Sequence, residues 1–204
     1  MITYPHTEGW SRTSGIPCYV FDKLDGSNVS SLIDRKGNFR FYKRGGLLDD
    51  STPFLKEAET LIPEKYGETM RKMLKDQRWD RATFFFEFLG PDSSFGWHAA
   101  EPHTVTLFDI HVERQGFLEP KDFVKLCRGV DTARLLHVGN FTKDIADAVS
   151  NGTLDGMTFE GVVCKGTWDK QRQMPRMFKW KNLAWLKKLR DRCGDDKKLY
   201  ESLV

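Results

Sequence analysis

Lys23-Leu24-Asp25-Gly26-Ser27-Asn28 follows Pro17-Cys18-Tyr19-Val20-Phe21, an apolar run bounded by Gly15 and Pro17 that reads as a β-strand. A lysine at a strand end beside a glycine turn aims its amine into whatever cleft the sheet forms. An amine is a nucleophile only when uncharged, and a free lysine titrates near 10.4, so such a site must disfavour the ammonium. Nearby cations do this by like-charge repulsion. Lys179 and Lys181 in Phe178-Lys179-Trp180-Lys181-Asn182 alternate along a strand pattern, so both face the same way and both can point toward Lys23. Three further fragments lie between, in the order Lys43-Arg44-Gly45-Gly46, Phe84-Phe85-Phe86-Glu87-Phe88-Leu89-Gly90 and Glu160-Gly161-Val162-Val163-Cys164-Lys165. They add Arg44, Glu87, Glu160 and Lys165 to the chemically able residues.

Taken singly, each fragment has a plain structural reading. Lys23 is then a surface lysine before a turn, and Glu87 the polar side of an alternating strand. Glu160 with Lys165, and Lys179 with Lys181, are solvated faces, and Phe108 is a core aromatic. The shared order carries more information than any member. In that order the chain resembles the covalent nucleotidyltransferase superfamily of ATP-dependent DNA ligases, RNA ligases and mRNA capping enzymes, over residues 17 to 182. Phe108-Asp109-Ile110 matches the superfamily's additional adenine-stacking motif.

The resemblance implies that Lys23 attacks the α-phosphate of ATP to form a lysyl-AMP, with Lys179 and Lys181 stabilising charge on the phosphoryl oxygens. Glu87 would accept hydrogen bonds from the ribose, Glu160 would help hold Mg2+ or Mn2+, Phe108 would stack on adenine, and Arg44 would position substrate or phosphate. Asp22, beside the nucleophile, falls with the nucleotide-binding residues. DNA ligases and capping enzymes usually carry arginine two residues beyond the motif glycine, where this chain has Asn28. The Gly26-Ser27-Asn28 ending is similar to RNA ligases of the phage nick-sealing and RNA-editing type and gives Asn28 a role in engaging the polynucleotide end. Phe86 departs from the small or polar residue that often precedes the motif glutamate.

The expected substrate is RNA with 5′-phosphate and 3′-hydroxyl ends. A minimal DNA ligase, a guanylyl-transferring capping activity and a noncatalytic nucleic-acid-binding module are the rivals. Full ligases of this type continue into a second domain, whereas about two dozen residues follow Lys181 here. Self-adenylylation is expected without that domain. RNA recognition would rest on the basic C-terminal helix or on a separate protein.

The elements that must position these residues read as an α+β pattern with a largely antiparallel sheet. The resemblance specifies this as the nucleotidyltransferase fold, ATP-grasp-like, with sheets flanked by helices around a nucleotide cleft. Residues 28–34 and 38–44 form a hairpin about Lys36-Gly37, and 82–90 and 104–112 are strands with a loop over 91–103. Residues 158–165 and 176–181 are the last strands. Helical spacing occurs over 54–62, 68–76, 119–129 and 142–152, and again from Asn182, a helix cap, to the C-terminus. Residues 1–182 are expected to form the adenylation domain, and 183–204 a basic helical extension of it.

Composition agrees with this reading. A chain of 204 residues with 39% hydrophobic and 13% aromatic residues can bury a full core. Its apolar runs are too short to span a bilayer. No secretory signal is visible at the start, which gives a cytoplasmic expectation, or host-cell cytoplasm for a viral protein. The four cysteines form no CxxC pair and read as free thiols, and the five histidines lack metal spacing. A net charge of +3 permits a nucleic-acid partner without requiring one.

Overall fold

The computed structural model describes residues 4, 15, 17–91 and 102–203. Most of the loop expected over 91–103 lies outside them. The chain divides into two compact units, one of Met1–His6, Asp25–Thr132 and Trp168–Pro175, the other of Thr7–Leu24, Ala133–Thr167 and Arg176–Val204. No helix is long and apolar enough to cross a membrane among the described residues.

The first unit is built on a six-stranded antiparallel sheet in the order β4-β3-β2-β5-β6-β7. Its strands are β2 (Ser27–Asp34), β3 (Phe39–Lys43), β4 (Gly46–Leu47), β5 (Arg81–Leu89), β6 (Thr104–Val112) and β7 (Gly116–Phe117). The β2–β3 hairpin closes where the Asp34 carboxylate accepts from the backbone N–H of Lys36 and of Asn38, at 2.9 and 3.0 Å. Alternation along β5 buries Phe84, Phe86 and Phe88 on one face and Phe85 on the other.

Helix α1 (Ala58–Asp76) covers the first of these faces with Ile62, Tyr66, Met70, Met73 and Leu74. The Tyr66 hydroxyl donates to the Val105 carbonyl at 3.1 Å. Sequence spacing suggests two helices, 54–62 and 68–76. The structure has one continuous helix through Pro63, preceded by a 3₁₀ turn at Pro53–Glu57. An internal proline costs about 3 kcal/mol. Burying a single stripe of large side chains at about 1.5–3 kcal/mol each outweighs it.

The second unit is built on a four-stranded sheet in the order β10-β9-β1-β8, with β1 (Pro17–Lys23), β8 (Leu135–Asn140), β9 (Gly161–Asp169) and β10 (Met174–Lys181). Cys18, Val20, Val162, Cys164 and Phe178 form its core with Phe141, Ala146 and Val149. Ala146 and Val149 belong to α3 (Lys143–Ser150), and the shorter α2 (Pro120–Leu126) lies in the first unit.

Strand β8 has no clear signal in the sequence. It lies at the sheet edge, alternates poorly, and leaves Val138 54% exposed. The C-terminal helix divides into α4 (Leu183–Cys193) and α5 (Lys197–Leu203) at Gly194, which takes φ 54°. All four cysteines are free and buried.

Candidate functional site

Alternation in the second unit decides which side chains can meet. Because Cys18 and Val20 of β1, Val162 and Cys164 of β9, and Phe178 of β10 point into the core, the intervening residues point to the opposite face. That face carries Phe21 and Lys23, Val163 and Lys165, and Lys179 and Lys181. The Lys165 ammonium sits 5.0 Å from the Phe21 ring centre.

Glu160 joins these lysines from the segment before β9. Its Oε2 accepts from Lys23 Nζ at 2.8 Å, and its Oε1 accepts from Lys181 Nζ. Lys181 is 9% exposed and Glu160 4%. Burial holds Lys181 down at about 8, helped by the charges of Lys23 and Lys179 and opposed by the Glu160 carboxylate. The Trp185 ring of α4 lies 3.9 Å from Lys181 Nζ and completes the pocket around that ammonium.

Glu160 is held by its surroundings. The expected strand over 158–165 begins only at Gly161, whose φ of 140° is open to glycine. A Cβ at Gly161 would stand 2.1 Å from the Trp180 carbonyl oxygen, so only glycine lets β10 approach this closely. The Glu160 carbonyl accepts from the Asn182 N–H at 3.0 Å.

Asp22 leaves β1 on the face opposite Lys23. Its Oδ1 accepts from the Thr158 N–H at 2.9 Å and from the Thr158 hydroxyl at 3.2 Å. Burial pushes its carboxyl up, against the Thr158 hydrogen bonds and the Arg134 charge. Arg134 donates to the Gly156 carbonyl at 2.8 Å. Asp22 and Arg134 thus fasten the loop that presents Glu160 from two sides. Asp22→Ala should cost about 1–3 kcal/mol by leaving the Thr158 donors without their acceptor. It should also slow the lysine chemistry on the order of 10–100-fold through a displaced Glu160. Asp22→Asn, which keeps the Oδ1 acceptor, should retain most of both. Denaturant titration and rate measurement on the pair check this, and equal loss in the two variants would refute the positioning role.

In the first unit, Gly26 is held against Glu87. The Gly26 N–H donates to Glu87 Oε1 at 3.0 Å, and a Cβ on Gly26 would stand 2.4 Å from the Phe88 carbonyl oxygen. Asn28 is the cross-strand partner of Glu87, and Glu87 the partner of Thr106, which puts the three on one face. Phe85 shares that face. The register shift between Phe85 and Phe86 makes Phe108 the extra residue of a β-bulge, a device that re-aims a side chain. The Phe108 ring lies 6.3 Å from Phe85 and 4.9 Å, edge-on, from Tyr4. The Tyr4 hydroxyl donates to Asp109 Oδ2 at 3.0 Å. Burial, with the Asp109 charge beside it, drives the Tyr4 phenol well above its ordinary range.

Asn28, Glu87 and Phe108 therefore share a sheet face of the first unit, and Lys23, Lys179, Lys181 and Glu160 gather on a sheet face of the second. Arg44 stands apart, exposed in the β3–β4 turn and in no ion pair among the described residues. Its neighbour Lys43 ties that hairpin to Asp49 and Thr52 at 2.8 and 2.9 Å. Sequence reading missed Tyr4, Thr158, Arg134 and Trp185. Only Trp185 had a usable signal, a tryptophan in the first turn of a capped basic helix four residues beyond Lys181. Among the described residues no three His, Cys, Asp or Glu side chains gather as a metal site. A cation at Glu160 would therefore take its other ligands from phosphate and water, a donor set that suits Mg2+.

Residues 16–181 match the protein family described as RNA ligase. Solved structures of a Naegleria gruberi RNA ligase share the fold. The form with PPi has a TM-score of 0.64 at 19% identity over 88% of this chain and 53% of that one. Two point mutants with ATP and Mn give TM-scores of 0.63 and 0.69, each at 17% identity, over 86% and 94% of this chain and 52% and 59% of theirs. The chain thus spans little more than half the length of these ligases. No curated protein sequence matches it.

Proposed function

Because the chain belongs to the RNA ligase family, we propose that it is an ATP-dependent RNA ligase that works through a covalent lysyl-AMP on Lys23. The observation that carries this reading is the Lys23–Glu160–Lys181 group, in which an accessible amine lies 2.8 Å from a buried carboxylate that also holds a second, desolvated lysine.

In the first step Lys23 Nζ bonds to the α-phosphorus of ATP, the bond to the bridging oxygen of the leaving pyrophosphate breaks, and the amine gives up its proton. Glu160 Oε2 is the acceptor within hydrogen-bond reach. Lys179 and Lys181 stabilise charge on the phosphoryl oxygens. Glu160 would hold a divalent cation, Mg2+ or Mn2+, which would neutralise charge on the triphosphate. Glu87 accepts from the ribose hydroxyls, Phe108 stacks on adenine, and Arg44 contacts phosphate or substrate. AMP then passes to a 5′-phosphate of RNA, releasing Lys23. The adjoining 3′-hydroxyl, positioned with the help of Asn28, displaces AMP to seal the strand.

Incubation of the chain with α-labelled ATP and Mg2+ tests the first step. Label that survives denaturation and is released by acid, as a phosphoramidate is, supports the reading, and an unlabelled chain overturns it. Parallel sealing of nicked RNA and nicked DNA, with and without cellular protein, tests the RNA preference and any need for a partner protein.

A further inference from the structure

Strand β3 sorts its side chains by alternation. Phe39 and Phe41 stand opposite Ile33 and Ser31, both fully buried, and turn to the face that α1 covers. There the Arg71 guanidinium of α1 lies 5.2 Å from the Phe39 ring centre. Arg40 and Tyr42 turn to the opposite face.

The strand register ties that face to the candidate site. Tyr42 stands opposite Ser30, and Ser30 opposite Phe85. Asn28 lies two residues from Ser30 on the same face, so it is the diagonal neighbour of Tyr42, at about 7–8 Å. On its other side Tyr42 pairs with Leu47 of β4, which is 59% exposed. Arg40 is exposed and Tyr42 half-buried. Among the described residues neither makes a hydrogen bond, an ion pair or a ring contact. The Asp34 carboxylate of the same face is taken up by the Lys36 N–H and by the Asn38 N–H and side-chain amide.

We propose that Tyr42 is a stacking platform for an unpaired base of the RNA strand beside the end that Asn28 engages, with Arg40 contacting a phosphate of that strand. An open aromatic ring next to an exposed leucine offers an apolar surface to a base. A guanidinium on the same face donates without accepting, which suits the phosphate that follows each base. Every base has such a π-face, so the platform is indifferent to sequence. This rests on the RNA ligase reading and on the role it gives Asn28, and it adds where the strand lies on the first unit.

The test is fluorescence anisotropy with the full chain and a single-stranded, 5′-phosphorylated RNA carrying an internal fluorophore. Tyr42→Ala should weaken binding on the order of 10-fold with the salt dependence unchanged, and Tyr42→Phe, which keeps the ring, should bind as the parent does. Arg40→Ala should weaken binding and reduce the slope of log affinity against log salt by about 0.7, the share of one phosphate on a single strand. Thermal unfolding shows whether each variant is folded. Should Tyr42→Ala unfold, the exposed Arg40→Ala decides, since an unchanged salt slope there overturns the proposal. Equal binding by Tyr42→Ala and the parent also overturns it, as do equal losses in Tyr42→Ala and Tyr42→Phe, or a parent chain that binds no RNA. RNA binding that depends on the Tyr42 ring in a chain that takes no nucleotide label upholds the platform while overturning the enzymatic reading.

Discussion

Lys23→Ala should abolish the covalent nucleotide, lowering lysyl-AMP formation by on the order of 10⁴-fold or more, while leaving the protein folded. Two other lysines of its sheet face are held by their own contacts. Lys165 is committed to the Phe21 ring, and Lys181 is buried against Glu160 and Trp185. The Lys23 side chain is 24% exposed, and its loss leaves Glu160 still paired with Lys181. Stability should therefore change by only about 1 kcal/mol. Lys23→Arg should keep the ion pair and yet fail to form the adduct, because a guanidinium does not deprotonate at working pH. RNA supplied with AMP already on its 5′-phosphate bypasses the lost step, so Lys23→Ala should still seal it. A Lys23→Ala protein that carries label at the parent level would remove Lys23 as the nucleophile.

Glu160→Gln should cost both activity and stability, and the stability cost should depend on pH in a direction the structure dictates. Removing one partner of a buried pair generally costs about 3–5 kcal/mol, because the other charge is left without compensation. Here two ammoniums lose their shared carboxylate. Lys181 already titrates at about 8 in the folded protein, below the value near 10.4 expected when unfolded. Between these values the unfolded chain binds more protons than the folded one, so the Lys181 contribution makes the protein more stable as pH rises through this window.

Without Glu160 the carboxylate that favours the Lys181 ammonium is gone. The folded value falls further and the window extends toward neutrality. The variant should be destabilised by about 3 kcal/mol at pH 6.5 and by only about 1 kcal/mol at pH 9, where Lys181 is mostly neutral in either protein. Urea unfolding at the two pH values measures this, and an equal loss at both would show that Lys181 is not the group left uncompensated. Lysyl-AMP formation should fall on the order of 100-fold or more, since the substitution removes the proton acceptor at Lys23 and the carboxylate for the divalent cation.

Much of the candidate site was legible because each of its residues sits at a position that local rules single out. Lys23 ends an apolar strand before a glycine turn, Glu87 interrupts a run of phenylalanines, and Lys179 and Lys181 alternate. Alternation alone places Lys179 and Lys181 on one face of β10, and the structure adds that this is the face of Lys23 and Lys165. The sequence reading gave Glu160 to a divalent cation and left its pairing with the lysines unstated. A carboxylate stands between Lys23 and Lys181, and Glu160 reaches it because the strand starts three residues later than its sequence pattern suggests. Asp22 was grouped with the nucleotide contacts, but its side chain turns to the other face of β1 and anchors Thr158. A one-residue step along a strand reverses the direction of a side chain.

What the sequence determined by itself was the set of chemically able residues, their order, the strand faces on which the period of two places them, and the α+β class. These depend on local periodicity and turn chemistry, which act over a few residues and are written in neighbouring side chains. Only the tertiary structure decided that α1 would run through Pro63, that 135–140 would complete a sheet edge, and that Phe108 would be re-aimed by a bulge. It also decided that Asp22 and Arg134 would fasten the loop that bears Glu160, and that α4 with its cap Asn182 would bring Trp185 against Lys181. Each of these outcomes is set by packing between segments far apart in the chain, where burial of apolar surface and pairing of desolvated charge exceed what any local preference contributes.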